Sequence, residues 1–370
     1  MLSWSLRVGS IAGIGVYLHW SLLLMLGWIA FIGFQSDTSQ GLYQLLFISL
    51  VFVIILLHEL GHCLMARRFG IGTHDITLLP VGGLARLERM PDDPKQELLV
   101  AVAGPAVNVV LAIFFYVLLR AQGQIFEIVE RGQEYTELAS VLSDGTVLGR
   151  LVTVNVMLVL FNMLPAFPMD GGRVLRAALA SRMDHARATR IAATVGQIMA
   201  VIFFWWGLNG GNPFLFVIAF VVFFGAEGEA RFSETKMLLS GFRVRNAMIT
   251  HFQTLSENDP LSVAVEHILA GFQQDFPVTR MGNVVGVVTG NSILKALGQQ
   301  GNEALVSEVM ERNIITTTPD ESLESAFSRI QQCACSTVPV LEDNELVGIL
   351  TMENVGEFIL VQNALRLKAR

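Results

Sequence analysis

The chain of 370 residues is 52% hydrophobic and only 15% charged, with a mean hydropathy of +0.54, against about 25% charge in a soluble domain. That excludes an ordinary soluble protein, and a formal net charge of −7 with no basic stripe offers nucleic acid nothing to bind. An integral membrane protein remains, and its polarity is uneven: the long apolar runs fill the part before about residue 230, and from Phe242 onward the chain turns polar and alternating.

Cys63, Cys333 and Cys335 make no disulfide framework and suit a reducing cytosol. The N-terminal MLSWSLRVGS has one arginine and no small-residue cleavage site, so no removable signal peptide is expected. Ile11 to Phe34 reads as a first span, with His19 and Trp20 suited to its interfacial end.

The second span, Leu45 to Phe69, reads LLFISLVFVIILLHELGHCLMARRF and carries two histidines and a glutamate. An ionisable side chain at the centre of hydrocarbon costs about 2.5–3.5 kcal/mol on insertion scales, so these residues call for a function and a partner. On a helix, His58 and His62 of the H-E-x-x-H pattern stand one above the other and can share one zinc ion. Glu59 points about 100° round the helix, where it can reach a water without ligating the metal, as a general base. Cys63 points about 100° from His62 and is read as a small apolar filler.

His74 to Met90, rich in strand formers around Gly82-Gly83, is too short for a span and predicts a β-hairpin. Irregular backbone at membrane depth needs a protein or cavity cover, which puts the hairpin beside the metal site with one edge open to an extended peptide; a plain surface loop is the alternative. A third span runs from Leu98 to Leu119, interrupted by Gly104-Pro105 and followed inside it by Asn108. The acidic stretch Arg120 to Asp144, with Glu127, Glu130, Glu134 and Glu137, is placed outside the membrane.

A fourth span, about Val147 to Leu164, leads into PAFPMDGGRVLRA. Catalytic zinc takes three protein ligands and keeps an open position. Asp170 is the candidate third ligand, with prolines unwinding the backbone and Gly171-Gly172 allowing close approach; a helix-capping aspartate is the alternative. The fifth and sixth spans run from about Ile191 to Leu208 and about Phe214 to Ala226. Arg67, Arg68, Arg173, Arg176, Arg182, Arg187 and Arg190 concentrate in two connections, which the positive-inside rule sets in the cytosol together with both termini. His58, His62 and Asp170 then share one side of the membrane.

HELGH at His58 to His62, with N-x-x-P-x-x-x-x-D-G from Asn162 to Gly171, resembles the site-2 protease family of intramembrane zinc metalloproteases, and the likeness extends over the hairpin and GPAVN at Gly104 to Asn108. By that likeness His58, His62 and Asp170 hold one zinc ion, Glu59 is the catalytic acid/base, and the substrate is a transmembrane segment of another membrane protein. An amide of Asn162 or Asn108 is the candidate donor to the oxyanion or positioner of substrate.

Beyond Phe242 the chain repeats with a period of about 60 residues: VRNAMITHFQTLSENDPLSVAVEHIL with VVGVVTGNSILKAL, then VSEVMERNIITTTPDESLESAFSRI with LVGILTMENVGEFI. Each copy resembles a CBS motif. In that family adenine nucleotides often bind between two copies, through a pattern G-x-x-T-x-x-D; here Ser292 follows Gly286 and Thr289, and Asn354 follows Gly348 and Thr351, so both aspartates are replaced. Adenine-nucleotide binding and a purely structural or dimerising module both stand as readings. The expected architecture is therefore an α-helical membrane domain at 1–232, with about six transmembrane helices and a small membrane-associated β-hairpin, followed by an α/β tandem CBS domain with motifs at 242–297 and 305–362. The rival reading is a metal-ion transporter or channel gated by its CBS pair, with the same four ionisable residues as an ion site. A carrier of that kind often shows symmetry between its halves, and no second copy of the HELGH helix is present. An inactive membrane adaptor sits badly with a full ligand set and base.

Overall fold

A computed structural model describes residues 5–36, 38–91, 93–122, 147–211, 213–271, 273–333 and 336–368. Most of the acidic stretch expected outside the membrane, including Glu127, Glu130, Glu134 and Glu137, lies outside the described residues, as does Cys335. The chain divides into two compact units, Met1–Ser233 and Glu234–Arg370.

The first unit holds strands β1 (Ser5–Ile11), β2 (Ile14–His19), β3 (Thr73–Leu79) and β4 (Gly82–Leu87), and helices α1 (Trp20–Ser36), α2 (Thr38–Arg68), α3 (Pro94–Ala121), α4 (Val147–Asn162), α5 (Asp170–Ala180) and α6 (His185–Gly210); α7 (Pro213–Leu239) closes it. Four helical stretches are long and apolar enough to cross a membrane, Gly41–Arg68, Pro94–Ala121, His185–Gly210 and Pro213–Leu239, while Trp20–Gly33 and Val147–Asn162 are shorter apolar helices. About six apolar helices thus accompany the sheet, as the hydropathy pattern predicts.

Two expectations need correction. Ile11 to His19 is strand and not the start of a span: Ala12 and Gly13 both adopt positive φ and turn β1 back onto β2, the backbone signature of a two-residue type I′ hairpin. The predicted hairpin at Thr73–Leu87 forms, yet it joins a four-stranded sheet ordered β1-β2-β3-β4, because β2 pairs in parallel with β3 from Gly15–Asp75 to Leu18–Leu78. Helices α1 and α2 are the crossover that such a parallel pair requires. The second correction concerns Gly104-Pro105, which does not interrupt α3; the helix runs unbroken through it, as neighbouring helices allow in a membrane bundle.

The sheet lies against α2. Ile14, Ile76 and Cys63 form a buried cluster with Leu56, Leu60, Ala85 and Leu87, so Cys63 is the apolar filler expected of it. Helix α3 packs against α2 as well. A Cβ at Gly61, between the two histidines, would stand 2.8 Å from the Ala103 carbonyl oxygen and 2.8 Å from a Val107 methyl; only glycine brings the two helices this close, the small-residue packing of membrane interfaces.

In the second unit, β5 (Leu255–Ser256), β6 (Phe276–Arg280) and β7 (Asn283–Val288) form one sheet, and β8 (Thr337–Glu342) and β9 (Glu345–Thr351) another. The first sheet packs with α8 (Leu261–Ala270) and α9 (Gly290–Gln300), the second with α11 (Leu323–Cys333) and α12 (Met352–Lys368); α10 (Val306–Val309) lies between. The repeats exchange their leading segments. Val306 and Met310 sit in the core of the first repeat and Val244 and Ala247 in that of the second, with Val287–Glu311 and Ile249–Ile349 backbone pairs sealing each exchange.

Candidate metal centre

Two stripes of side chains meet between α2 and α3. His58 and His62 stand one turn apart on α2, and Val100, Gly104 and Asn108 follow at four-residue steps along α3, which places them on one face. The helices run antiparallel there, so that His62 faces Val100 and His58 faces Asn108. Both imidazoles are buried.

The hydrogen bonds fix both rings. His62 Nδ1 lies 2.7 Å from the Val100 carbonyl oxygen, which can only accept, so in the neutral ring Nδ1 carries the proton and Nε2 the lone pair. His58 Nδ1 donates to Asn108 Oδ1 at 2.6 Å, with the same result for its Nε2. The two bare Nε2 atoms are 3.2 Å apart. Between them and α3 there is no room for a side chain: a Cβ at Gly104 would overlap His62 Nε2 and stand 2.8 Å from His58 Nε2.

Asp170 completes the group. It is the first residue of α5, after N-cap Met169, and its Oδ2 lies 3.2 Å from each Nε2. The preceding turn folds tightly over the helix start, where a Cβ at Gly171 would strike the Leu164 carbonyl and one at Gly172 would stand 2.6 Å from the Phe167 nitrogen. Both glycines are therefore required by close approach. Asp170 follows the N-cap and its carboxylate faces the imidazoles without capping the helix, so the capping alternative falls.

Two imidazole Nε2 atoms and one carboxylate oxygen therefore sit at the corners of a triangle 3.2 Å on each side. Each of the three atoms can offer a lone pair to one cation placed between them. A tetrahedral zinc ion about 2.0–2.1 Å from nitrogen and oxygen ligands holds them about 3.3 Å apart. Spacing and donor set fit that ion, with one face of the triangle left for a fourth partner. His19 is elsewhere; its Nδ1 hydrogen-bonds Ser21 Oγ at 2.6 Å, and among the described residues only His58, His62 and Asp170 converge as a metal-binding group.

Glu59 is half-buried beside the triangle, under β4: a Cβ at Gly83 would stand 2.5 Å from its Cγ and 3.1 Å from Oε1. The hairpin thus crosses the glutamate, as its expected position beside the site requires, and the edge of β4 away from β3 carries no strand among the described residues. Asn108 stands behind the His58 ring at Nδ1, across the ring from the Nε2 edge, where it supports the imidazole and cannot reach an oxyanion at the triangle. Asn162 is half-buried at the end of α4.

Sequence reasoning missed two groups. Asn155, wholly buried on α4, accepts from Asn108 Nδ2 at 3.1 Å; an asparagine in the middle of an apolar run was the available signal. Arg176, on the helix that Asp170 opens, donates to Glu97 Oε1 of α3 at 2.6 Å and to Glu229 Oε1 of α7 at 2.5 Å, with its guanidinium 5.1 Å from the Phe167 ring centre. This buried ion cluster ties α5 to α3 and α7. The sequence shows only one more arginine in a basic connection.

The profile of Peptidase family M50 matches residues 46–205, and that of the CBS domain matches residues 244–299 and 306–360. A zinc metalloprotease of Methanocaldococcus jannaschii is 29% identical over 96% of this chain and 96% of its own length. Rip3 of Mycobacterium tuberculosis, which carries the name of a zinc metalloprotease, is 30% identical over 96% of this chain and 93% of its own. The solved site-2 protease of M. jannaschii is 32% identical, covers 62% of this chain and 96% of that one, and superposes with a TM-score of 0.44. The ion-carrier reading falls with these relatives. A buried His-His-Asp triangle, a glutamate one residue from its first histidine and relatives matched from end to end converge on one assignment: the chain belongs to Peptidase family M50, the site-2 proteases, and is an intramembrane zinc metalloprotease bearing a pair of CBS domains.

Proposed function

We propose that His58, His62 and Asp170 hold one zinc ion and that Glu59 is the general acid/base for hydrolysis of a peptide bond in or near a transmembrane segment. The observation that carries this reading is the triangle of two imidazole nitrogens and one carboxylate oxygen 3.2 Å apart. Zinc bound there supplies Lewis acidity and brings the ionisation of water toward neutral pH. The chain's own residues do the rest. Glu59 takes a proton from the attacking water on its carboxylate and returns it to the leaving amine nitrogen. Asn162, at the end of α4 near the turn that leads to Asp170, is the candidate amide donor to substrate.

A substrate helix hides its carbonyls in i to i−4 hydrogen bonds, so it must open before a carbonyl can be attacked. The free edge of β4 beside Glu59 supports capture of the opened segment as an added strand. Substrates with glycine, proline or asparagine near the cut follow from this. The arginine-rich connections support a cytosolic metal side, the source of water, and cytosolic termini.

The CBS pair is read as the regulatory module, with an adenine nucleotide as its ligand. Thr289 and Thr351 each cap the helix that follows and bind back to Ser292 and Asn354, the neutral residues at the ribose positions. Each neutral side chain keeps acceptor capacity for one hydroxyl, fewer than a carboxylate offers.

The decisive experiment compares wild type with Glu59→Gln and Asp170→Ala in detergent. Glu59→Gln is expected to keep zinc and lose cleavage, whereas Asp170→Ala loses zinc. Normal turnover by Glu59→Gln removes the glutamate from the mechanism, and full zinc content in Asp170→Ala removes the carboxylate from the ligand set.

A further inference from the structure

A histidine binds a metal through Nε2 only when the proton sits on Nδ1, and the group facing Nδ1 decides which tautomer is present. For His62 that group is a backbone carbonyl, which leaves no choice. For His58 it is a side-chain amide, which can present either oxygen or NH2. Turned the other way, Asn108 would offer a donor to Nδ1, move the proton to Nε2 and close that nitrogen to metal.

A second amide removes the ambiguity. Asn108 Nδ2 donates to Asn155 Oδ1 at 3.1 Å, and Asn155 Nδ2 donates to the Leu151 carbonyl oxygen at 2.8 Å. That carbonyl can only accept, so Asn155 must direct its NH2 to Leu151 and its oxygen to Asn108; Asn108 must then direct its oxygen to His58. Both amides are fully buried, where a reversed amide would lose hydrogen bonds that no water replaces. We propose that Asn155 is a positioning residue, two side chains removed from the ion, that fixes the His58 tautomer through the amide of Asn108. The proposal rests on the reading of His58, His62 and Asp170 as the zinc holders.

Zinc affinity of the full-length protein in detergent, measured by competition with a chromophoric chelator, tests it. Asn155→Leu keeps the size of the side chain and abolishes its acceptor; affinity is expected to fall about 10- to 100-fold, the range for loss of an outer support. Asn155→Asp retains an oxygen that accepts from Asn108 in either protonation state and is expected to keep zinc near wild-type affinity. In an Asn108→Asp background the group facing His58 has two equivalent oxygens and no orientation to set, so adding Asn155→Leu is expected to cost nothing further. Wild-type affinity in Asn155→Leu, equal loss in Asn155→Asp, or an undiminished Asn155→Leu loss in the Asn108→Asp background each overturns the relay in favour of plain packing. A wild-type protein that binds no zinc overturns the ligand reading as well, and that outcome is separate from the others.

Discussion

Gly104→Ala makes two opposed demands on the protein. In an ordinary helix the change stabilises by about 0.8–1.0 kcal/mol. Here the new methyl would overlap His62 Nε2 and stand 2.6 Å from its Cε1 and 2.8 Å from His58 Nε2. Neither ring can swing aside cheaply, since His58 is held at 2.6 Å by Asn108 and His62 at 2.7 Å by the Val100 carbonyl, each bond contributing about 0.5–1.5 kcal/mol net. Overpacking of about 1–3 kcal/mol set against the helix gain leaves the metal-free fold less stable than wild type by at most about 2 kcal/mol. Zinc affinity is expected to fall by more than the about 10- to 100-fold caused by losing an outer support, because the ligand atoms themselves must move. Thermal unfolding in detergent reads both terms. Zinc at a hundred times its dissociation constant stabilises a folded state by about 2.7 kcal/mol; the resulting rise in melting temperature should vanish in the variant, whose zinc-free melting temperature falls by no more than the net overpacking accounts for. A variant that keeps the zinc-dependent rise would refute the placement of the two Nε2 atoms against α3.

Other substitutions separate the parts of the machine. Gly83→Ala puts a methyl 2.5 Å from Glu59 Cγ and is expected to keep zinc while cleavage drops toward the loss of about 10²–10⁴-fold that general acid–base catalysis accounts for; normal cleavage would detach β4 from the glutamate. Glu97→Ala leaves the buried Arg176 with Glu229 alone and should destabilise by about 3–5 kcal/mol, whereas Glu229→Ala, whose side chain is 32% exposed, should cost clearly less; equal melting temperatures for the two would contradict the cluster. Ser292→Asp restores a carboxylate at a ribose position and should raise AMP affinity of the full-length protein by about tenfold in calorimetry, the gain from a neutral to a charge-assisted hydrogen bond. No change would argue for a structural CBS pair.

The parts of the site legible in the sequence were those where local spacing and global position coincide. His58 and His62 share a helix face at any tilt, and Asp170 follows an apolar run inside a stretch of proline and glycine that can only be a close turn. Asn155 and the Glu97–Arg176 pair depend instead on which helices become neighbours, which no local period states. The first hairpin was hidden for a different reason: Ile14, Val16 and Leu18 satisfy both a hydropathy window and a strand, and only the Ala12-Gly13 turn distinguishes the two. In the CBS unit the repeat was plain, yet the exchange of leading segments could not be read from it. Two similar copies offer each leading segment two nearly equivalent sheets, and sequence similarity cannot choose between them.

The charge of the proposed ion site settles why it tolerates burial. His58 and His62 each hold Nδ1 against an acceptor and turn Nε2 to the triangle, beside the carboxylates of Asp170 and Glu59 and within the field of Arg173. A divalent ion offsets the two carboxylates in a medium where an isolated charge is expensive. A monovalent ion would offset only one of them, and removing the metal would leave both beside imidazole nitrogens 3.2 Å apart. Chelation should therefore loosen the three helices that meet there and lower the melting temperature, with zinc restoring it. A melting temperature indifferent to chelation, in a protein shown to have lost its metal, would mean that the charge is balanced by some other group and that the triangle is not held together by a cation.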